Sequence, residues 1–338
     1  GNHYLMGQKM GNIFKKADAR FPIKLDKFQK QHGKESGLLL NMHFPEAAKE
    51  IKGITDVIEY DNELFTSWMM CMGCCLDPDN KDSVEVRGCT AFSFVHEGNI
   101  YYGRDNDLPP FLRTVSKSVY YQPENGNRFI LNTSSFINGE EGINDRGLVV
   151  AMTFVVPKRS EINPGLNSVF LVRYLLEKCR DVNDGIKALQ KLPVASSCNI
   201  LLADKSLNMV VAECNPQKIN IRYPEKNREN QHFIITVNHF TSEEMWKHDA
   251  SNRNVFFSEV RYQTAYNALM KADYNDGKKH AEDILSGKSG FMCQYDKELN
   301  FETIWSSVFD ITGERIFLAG GNPMKVKYIE DKRLSRAG

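Results

Sequence analysis

The chain has 338 residues, of which 41% are hydrophobic, and its 43 lysines and arginines balance its 43 aspartates and glutamates. At about 150 residues per domain, that length allows two small domains or one large one with a subsidiary segment. The composition excludes disordered, collagen-like and coiled-coil chains, and the zero net charge excludes the broad basic footprint of a duplex nucleic-acid binder.

Residues 1–16 carry no apolar core behind a basic flank, so no secretory signal is read there. Segments 24–32, 44–57 and 61–75 place apolar residues at helical spacing, which predicts a mostly helical N-terminal region. It closes on the cluster Cys71, Cys74, Cys75 and on the run LDPDNKDSVEVRG, whose Asp, Asn, Pro and Ser mark an exposed connection near 77–88. Eight cysteines are too few for a disulfide scaffold, so a reducing compartment, the cytoplasm, is expected. A zinc site wants paired ligand clusters, and Cys71-x-x-Cys74 finds no second C-x-x-C or H-x-x-x-H to complete it. Buried structural cysteines are therefore the expectation, with no metal and no cofactor.

Strand patterns begin at Cys89. Segments 89–95 and 99–104, separated by His-Glu-Gly, read as a hairpin. Strands follow over 129–133 and 147–156, the second after the turn Asn144-Asp145-Arg146-Gly147. Two helices come next, 168–178 capped by Asn167 and 184–192 capped by Asn183. Strands resume at 198–203, 209–214, 219–223 and 233–237, a long helix covers 255–271, and a hairpin of 303–310 with 315–319 ends the pattern. The longest apolar run, 148–156, is far short of the about 20 residues of a bilayer crossing, so no membrane partner is expected. Grouped hairpins interrupted by paired helices predict an α+β layered architecture of antiparallel sheets. Neither a dinucleotide-binding glycine motif nor a Walker loop is present.

The chemistry centres on Gly88-Cys89-Thr90. Glycine has no Cβ, so its carbonyl can be approached closely. A Cys89 thiol that attacked the Gly88 carbonyl would break the backbone and become a new N-terminus, whose α-amino group titrates near neutrality and can act as the base. Arg104 and Asp107 lie on the returning strand of the hairpin, within reach of Cys89. A nearby cation favours a thiolate, and a carboxylate can hold a freed amine.

The strings GCTAFSF, YYGRDND, GINDRGLVVA, ITVNHF and SEVRY, in this order and spacing, resemble the acyl-coenzyme A:6-aminopenicillanic acid acyltransferase family of N-terminal-nucleophile hydrolases. More distantly they are similar to bile-salt hydrolases, penicillin V acylases and acid ceramidases. The resemblance implies a precursor that cleaves itself before Cys89, leaving a helical chain 1–88 as the partner of a catalytic chain 89–338 in a four-layer αββα sandwich. It makes Cys89 the nucleophile, Arg104 and Asp107 its companions, with Asp105 where the family more often has asparagine, and Asn238 an oxyanion donor. Thr153 stands where bile-salt hydrolases carry an oxyanion asparagine. Asn144, Ser258 and Arg261 match family positions read as supporting and structural.

The activity expected is cleavage of a linear N-acyl amide, a small molecule, through a thioester at Cys89. The alternative is transfer of the acyl group to an amine such as a penicillin-type nucleus. Two other classes compete: a Cys-His hydrolase using His96, His232 or His239 without self-cleavage, and a relative that has lost its chemistry or binds a regulatory metal at Cys71, Cys74 and Cys75. Assembly with further copies of the chain stays open.

Overall fold

A computed structural model describes residues 1–75, 88–251, 254–296 and 301–335. Four helices come first: α1 His3–Lys16, α2 Lys27–His43, α3 Pro45–Ile58 and α4 Asn62–Cys71. Each start has a local cause. The Asn2 side chain accepts from the N–H groups of Tyr4 and Leu5, Asp26 and Gln29 form a reciprocal capping box, Pro45 opens α3, and Asp61 accepts from Leu64. The sequence pattern found α3 and α4, placed the start of α2 three residues early while stopping it well short, and missed α1. The predicted connection at 77–88 lies outside the described residues except for Gly88.

The strands and remaining helices are β1 Gly88–His96, β2 Asn99–Leu108, β3 Lys117–Tyr121, β4 Phe129–Thr133, β5 Glu141–Asn144, β6 Leu148–Phe154, α5 Ser168–Lys178, α6 Val182–Leu189, β7 Cys198–Asp204, β8 Met209–Asn215, β9 Lys218–Arg222, β10 Glu225–Lys226, β11 His232–Thr236, α7 Ser258–Lys271, α8 Gly277–Leu285, β12 Tyr295–Asp296, β13 Phe301–Asp310, β14 Arg315–Ala319 and β15 Ile329–Asp331. They form two antiparallel sheets. One has the order β10-β11-β1-β2-β13-β14-β15, with β12 also paired to β13, and the other runs β3 to β9 in sequence order.

Two predicted helices are corrected. Asp181, rather than Asn183, caps α6 by accepting from the Asp184 N–H at 2.8 Å, so the helix starts and ends earlier than 184–192. The helix expected over 255–271 breaks at Phe256 and Phe257, which have φ of 52° and 58°, and α7 begins only at Ser258. The break turns the Phe256 carbonyl toward two donors, Arg261 Nε at 3.1 Å and Gln294 Nε2 at 3.1 Å. Two successive non-glycine residues at positive φ cost on the order of 1–3 kcal/mol each, and these contacts offset part of that.

Three apolar layers hold four layers of structure together, which makes the fold an αββα sandwich. Between the sheets, Ala91, Ile100, Tyr102 and Phe309 meet Ile143, Val149, Leu201 and Val211. Outside the first sheet, Phe92, Phe94 and Ile235 pack on Ala265 and Leu269 of α7 and Ile284 of α8. Outside the second, α5 contributes Phe170, Leu171 and Leu175 to a core that also takes Phe14, Leu40, Phe44, Ile51 and Phe65 from the four N-terminal helices. The N-terminal region is thus a cover sharing the core of the sandwich. Among the described residues no helix is long and apolar enough to cross a membrane.

Candidate active site

Glu97 and Gly98, at φ 49° and 77°, form the two-residue turn between β1 and β2 and fix the register of the hairpin. That register sets Cys89 opposite Asn106, Gly88 opposite Asp107 and Ala91 opposite Arg104. Strand alternation then sorts the side chains. Ala91, Ile100 and Tyr102 face the second sheet, so Cys89, Arg104 and Asn106 share that face. Phe92, Phe94 and Tyr101 face α7 and α8, so Thr90, Asp105 and Asp107 share the other. The two companions singled out in the sequence, Arg104 and Asp107, therefore serve different sides of Cys89.

On the thiol side, Arg104 Nη2 donates to Cys89 Sγ at 3.1 Å and to Asn106 Oδ1 at 2.7 Å, and the thiol donates to the same Asn106 oxygen at 3.2 Å. Arg104 Nη1 is tied to the Met152 carbonyl of β6. Burial pushes the Cys89 thiol up and the Arg104 cation pulls it down, the first effect being larger. Cys89 is therefore a protonated thiol with a cation poised to stabilise its thiolate. Asn106 was not among the residues picked from the sequence; counting back from the tight turn would have placed it opposite Cys89.

On the backbone side, the Cys89 N–H donates to Asn238 Oδ1 at 2.8 Å, and Arg261 Nη2 donates to that oxygen at 2.7 Å. Asn238 Nδ2 donates to the Phe154 carbonyl at 2.9 Å. This arrangement fixes the orientation of the amide, because exchanging its ends would set N–H groups against two donors. One Asn238 amide proton thus goes to Phe154, leaving the other for a ligand. Arg261, expected to be structural, also donates to the Cys89 carbonyl at 2.6 Å and to Thr90 Oγ1 at 2.7 Å.

Asp107 stands on the α7 side, beside Gly88. A Cβ on Gly88 would fall 2.8 Å from the Phe301 ring and 3.1 Å from Asp107 Oδ2, so a larger residue here would have to displace one of them. Thr303 donates to Asp107 Oδ1 at 2.5 Å, whereas Oδ2 has no hydrogen-bond partner among the described residues. Burial pushes the Asp107 carboxyl up to about 6, against the pull of Arg261, the Thr303 hydroxyl and Arg104. Asp105, also buried and beside Asp107, is pushed well above the usual carboxylate range by burial and that neighbouring charge.

A chain that opens a strand with a buried cysteine, grips its sulfur with arginine and its nitrogen with asparagine, and puts no histidine among the described partners of that sulfur invites comparison with known proteins. The family model described as acyl-coenzyme A:6-aminopenicillanic acid acyl-transferase matches residues 95–325. The chain belongs to this acyl-transferase family. The match includes Arg104, Asp107, Asn238 and Arg261 and begins after Cys89. As a member of the acyl-transferase family the chain is an enzyme of the N-terminal-nucleophile hydrolase type, an acyl amidase or acyltransferase in the coarse sense. Among solved structures, a variant of the conjugated bile acid hydrolase from Clostridium perfringens is similar at 11% identity, covering 72% of this chain and 93% of that one with a TM-score of 0.51, which supports the shared fold. Penicillin V acylase from Agrobacterium tumefaciens aligns at 15% identity over 69% of this chain and 83% of that one, with a TM-score of 0.45. No curated protein matches the chain.

The other residues of interest to this family member fall into place around the site or away from it. Thr153 on β6 donates to the Val237 carbonyl at 2.5 Å, and Asn199 Nδ2 donates to Thr153 Oγ1 at 3.1 Å and to the Val237 carbonyl at 3.0 Å, so both pin the backbone next to Asn238. The Ser258 hydroxyl accepts from the Asn238 N–H at 2.9 Å and bonds His239 Nδ1 at 2.9 Å. Asn144 is not brought to the site: it accepts from Arg146 and Leu148 and donates to the Leu176 and Cys179 carbonyls at the end of α5. His96 sits at the far end of β1, about 23 Å along the strand from Cys89, with its ring tilted at 44° against that of Tyr274. His232 is exposed at the start of β11. These placements speak against His96 and His232 as bases for Cys89, while His239, next to Asn238, bonds the Ser258 hydroxyl.

Proposed function

We propose that this enzyme cleaves its own chain before Cys89 and then hydrolyses a linear N-acyl amide through a thioester on that residue. The observation that carries the reading is that the sulfur and the nitrogen of one buried residue are each held by a polar partner, Arg104 at 3.1 Å and Asn238 at 2.8 Å.

In the first stage the Cys89 sulfur adds to the Gly88 carbonyl carbon, the Gly88–Cys89 C–N bond breaks, and the thiol proton ends on the departing nitrogen. Water then opens the resulting thioester, giving a Gly88 carboxylate and a free thiol. Asp107, with an open oxygen beside Gly88, holds the new ammonium group. In the second stage the α-amine takes the thiol proton, the thiolate attacks the substrate carbonyl, and the protonated amine returns that proton to the leaving nitrogen. Water, giving up a proton to the amine, then splits the thioester, releasing the acyl group as a carboxylic acid and restoring the thiol. The remaining Asn238 amide N–H faces the developing oxyanion, where one such donor contributes roughly 3 kcal/mol. The Phe301 ring beside Gly88, 5.4 Å from the Phe256 ring, favours an apolar acyl group. Transfer to an amine is the second reading, favoured by the name of the matching family.

The test is the intact mass of the reduced, denatured protein together with turnover on a panel of N-acyl amides. Two chains, the larger beginning at Cys89, are expected for the wild type. Cys89→Ala is expected to remain whole and to lose all measurable turnover. A single uncut chain that hydrolyses amides at full rate overturns the proposal.

A further inference from the structure

The loose end of the sequence is the cluster Cys71, Cys74, Cys75, which lacked a partner pair. Packing supplies one histidine instead. Helices α2 and α4 approach closely where a Cβ on Gly33 would lie 2.6 Å from the Ser67 backbone and side chain, so the neighbouring His32 is carried to the end of α4. There the chain curls back: Gly73 has φ 63°, and the N–H groups of Cys74 and Cys75 both donate to the Cys71 carbonyl, at 3.1 and 2.9 Å. The positive φ suits glycine, and the curl returns the two sulfurs toward α2. His32 Nε2 lies 3.6 Å from Cys74 Sγ, and the ligand atoms of His32, Cys74 and Cys75 all fall within 4.8 Å of one another. Cys71 stands outside that group of three but at the start of the same curl, its carbonyl receiving both turn N–H groups and its Sγ 3.5 Å from the Gln29 carbonyl.

A tetrahedral zinc ion with bonds of about 2.1 Å to nitrogen and 2.3 Å to sulfur separates its ligand atoms by roughly 3.6 Å. The His32–Cys74 distance already has that value. We propose that His32, Cys74 and Cys75, with Cys71 as the fourth ligand, bind a thiophilic divalent cation, zinc, that staples α2 to the end of α4. An imidazole nitrogen and cysteine sulfurs are the ligand types that zinc takes in structural sites. The contrast with Cys198 and Cys214, which face each other across β7 and β8 without joining a metal-competent group among the described residues, shows that the clustering here is not what any buried cysteines do.

The experiment uses the full chain, reduced and stripped with a chelator, then titrated separately with zinc chloride and cobalt(II) chloride. About one equivalent of zinc per chain should survive gel filtration, raise the melting temperature and confer, as cobalt(II), a sulfur-to-metal charge-transfer band. His32→Gln and the double variant Cys74→Ser, Cys75→Ser should each weaken zinc binding at least about tenfold. Wild-type protein that keeps under about a tenth of an equivalent overturns the site, whether or not the variants fold. So does a cobalt spectrum that all variants share, or a Cys71–Cys74 disulfide that persists under the same reducing conditions. None of these readouts depends on Cys89, so this proposal and the catalytic one fail separately.

Discussion

Arg104, Arg173 and Arg261 are fully buried among the described residues, and the surroundings of Arg173 and Arg104 have been completed to different degrees. Arg173 on α5 is saturated: it donates to Glu50 at 2.9 Å, to Glu177 at 3.1 and 3.3 Å and to the Ile137 carbonyl, and lies 4.1 Å over the Tyr121 ring. Glu177 in turn bonds His3 at 2.9 Å and Lys178 at 3.3 Å, so the network links α1, α3 and α5. On the two faces of the strands around Cys89, by contrast, Arg104 Nε and Asn106 Nδ2 on one side and both Asp105 oxygens and Asp107 Oδ2 on the other lack partners among the described residues. Unmet buried polar atoms carry a desolvation penalty of about 1–3 kcal/mol apiece. A closed network stabilises the fold; an open one has capacity left for a substrate, a water or a new ammonium group.

The difference can be broken from either side. The largest effect should come from Arg173→Met, which strands Glu50 and Glu177 and should lower the unfolding free energy by about 3–5 kcal/mol. Urea unfolding measures this, and turnover per folded molecule should stay within about twofold of the wild type. Arg104→Lys should do the reverse, cutting turnover about 100-fold, near 2.7 kcal/mol, while stability moves by less than about 1 kcal/mol. Equal effects of both changes on stability would remove the distinction.

Smaller effects separate the two regions by pH. Burial holds Asp107 up at about 6, and its ionised form is the one that receives an ammonium, so turnover should rise through that value. Thr303→Val removes a donor to the ionised carboxylate and should move the acid limb of the pH–rate profile to higher pH, lowering turnover at pH 6 while leaving the plateau. Glu177 moves the other way. Against its burial, the hydrogen bond from His3 and the Arg173 and Lys178 cations hold it down at about 2. A depressed carboxylate adds stability that is full above its ordinary value near 4.5 and is lost as pH falls toward 2. His3→Ala should shrink that acid-sensitive share by about 1 kcal/mol, read from unfolding curves at pH 3 and pH 7. An unchanged difference would mean that His3 does not support Glu177.

What could be read in advance follows from the range of the interactions involved. Strands β4, β13 and β14 and helix α5 were readable because short aromatic and β-branched runs, the Thr312-Gly313 turn and the Asn167 cap are local signals. The α8 helix was not, since GKKHAEDIL offers only a narrow apolar face. The break at Phe256–Phe257 is hard to read locally because one of the donors that offset it, Gln294, lies 38 residues away. Likewise Cys89, Arg104 and Asp107 sit on one hairpin and could be grouped from sequence, whereas Arg261 and Thr303 reach them from α7 and β13. Arg261 was noted for its motif but assigned to scaffolding, since nothing local reveals that its guanidinium spans Cys89 and Asn238. The zinc-type cluster failed a spacing rule because its histidine comes from a different helix.

The shared core of α1–α4 and the sandwich has one more consequence. Phe14, Leu40, Phe44 and Phe65 pack in the same cluster as Phe170 and Leu175, so a cut before Cys89 leaves the contacts in place while changing how the molecule can be rebuilt. The uncut chain folds as one body, in a first-order process. Once cut, an unfolded molecule must find its other half by diffusion, and recovery becomes second order in protein. Dilution would then slow the return of the mature enzyme but not that of Cys89→Ala, and the lifetime of the cut form would rest on how slowly it unfolds.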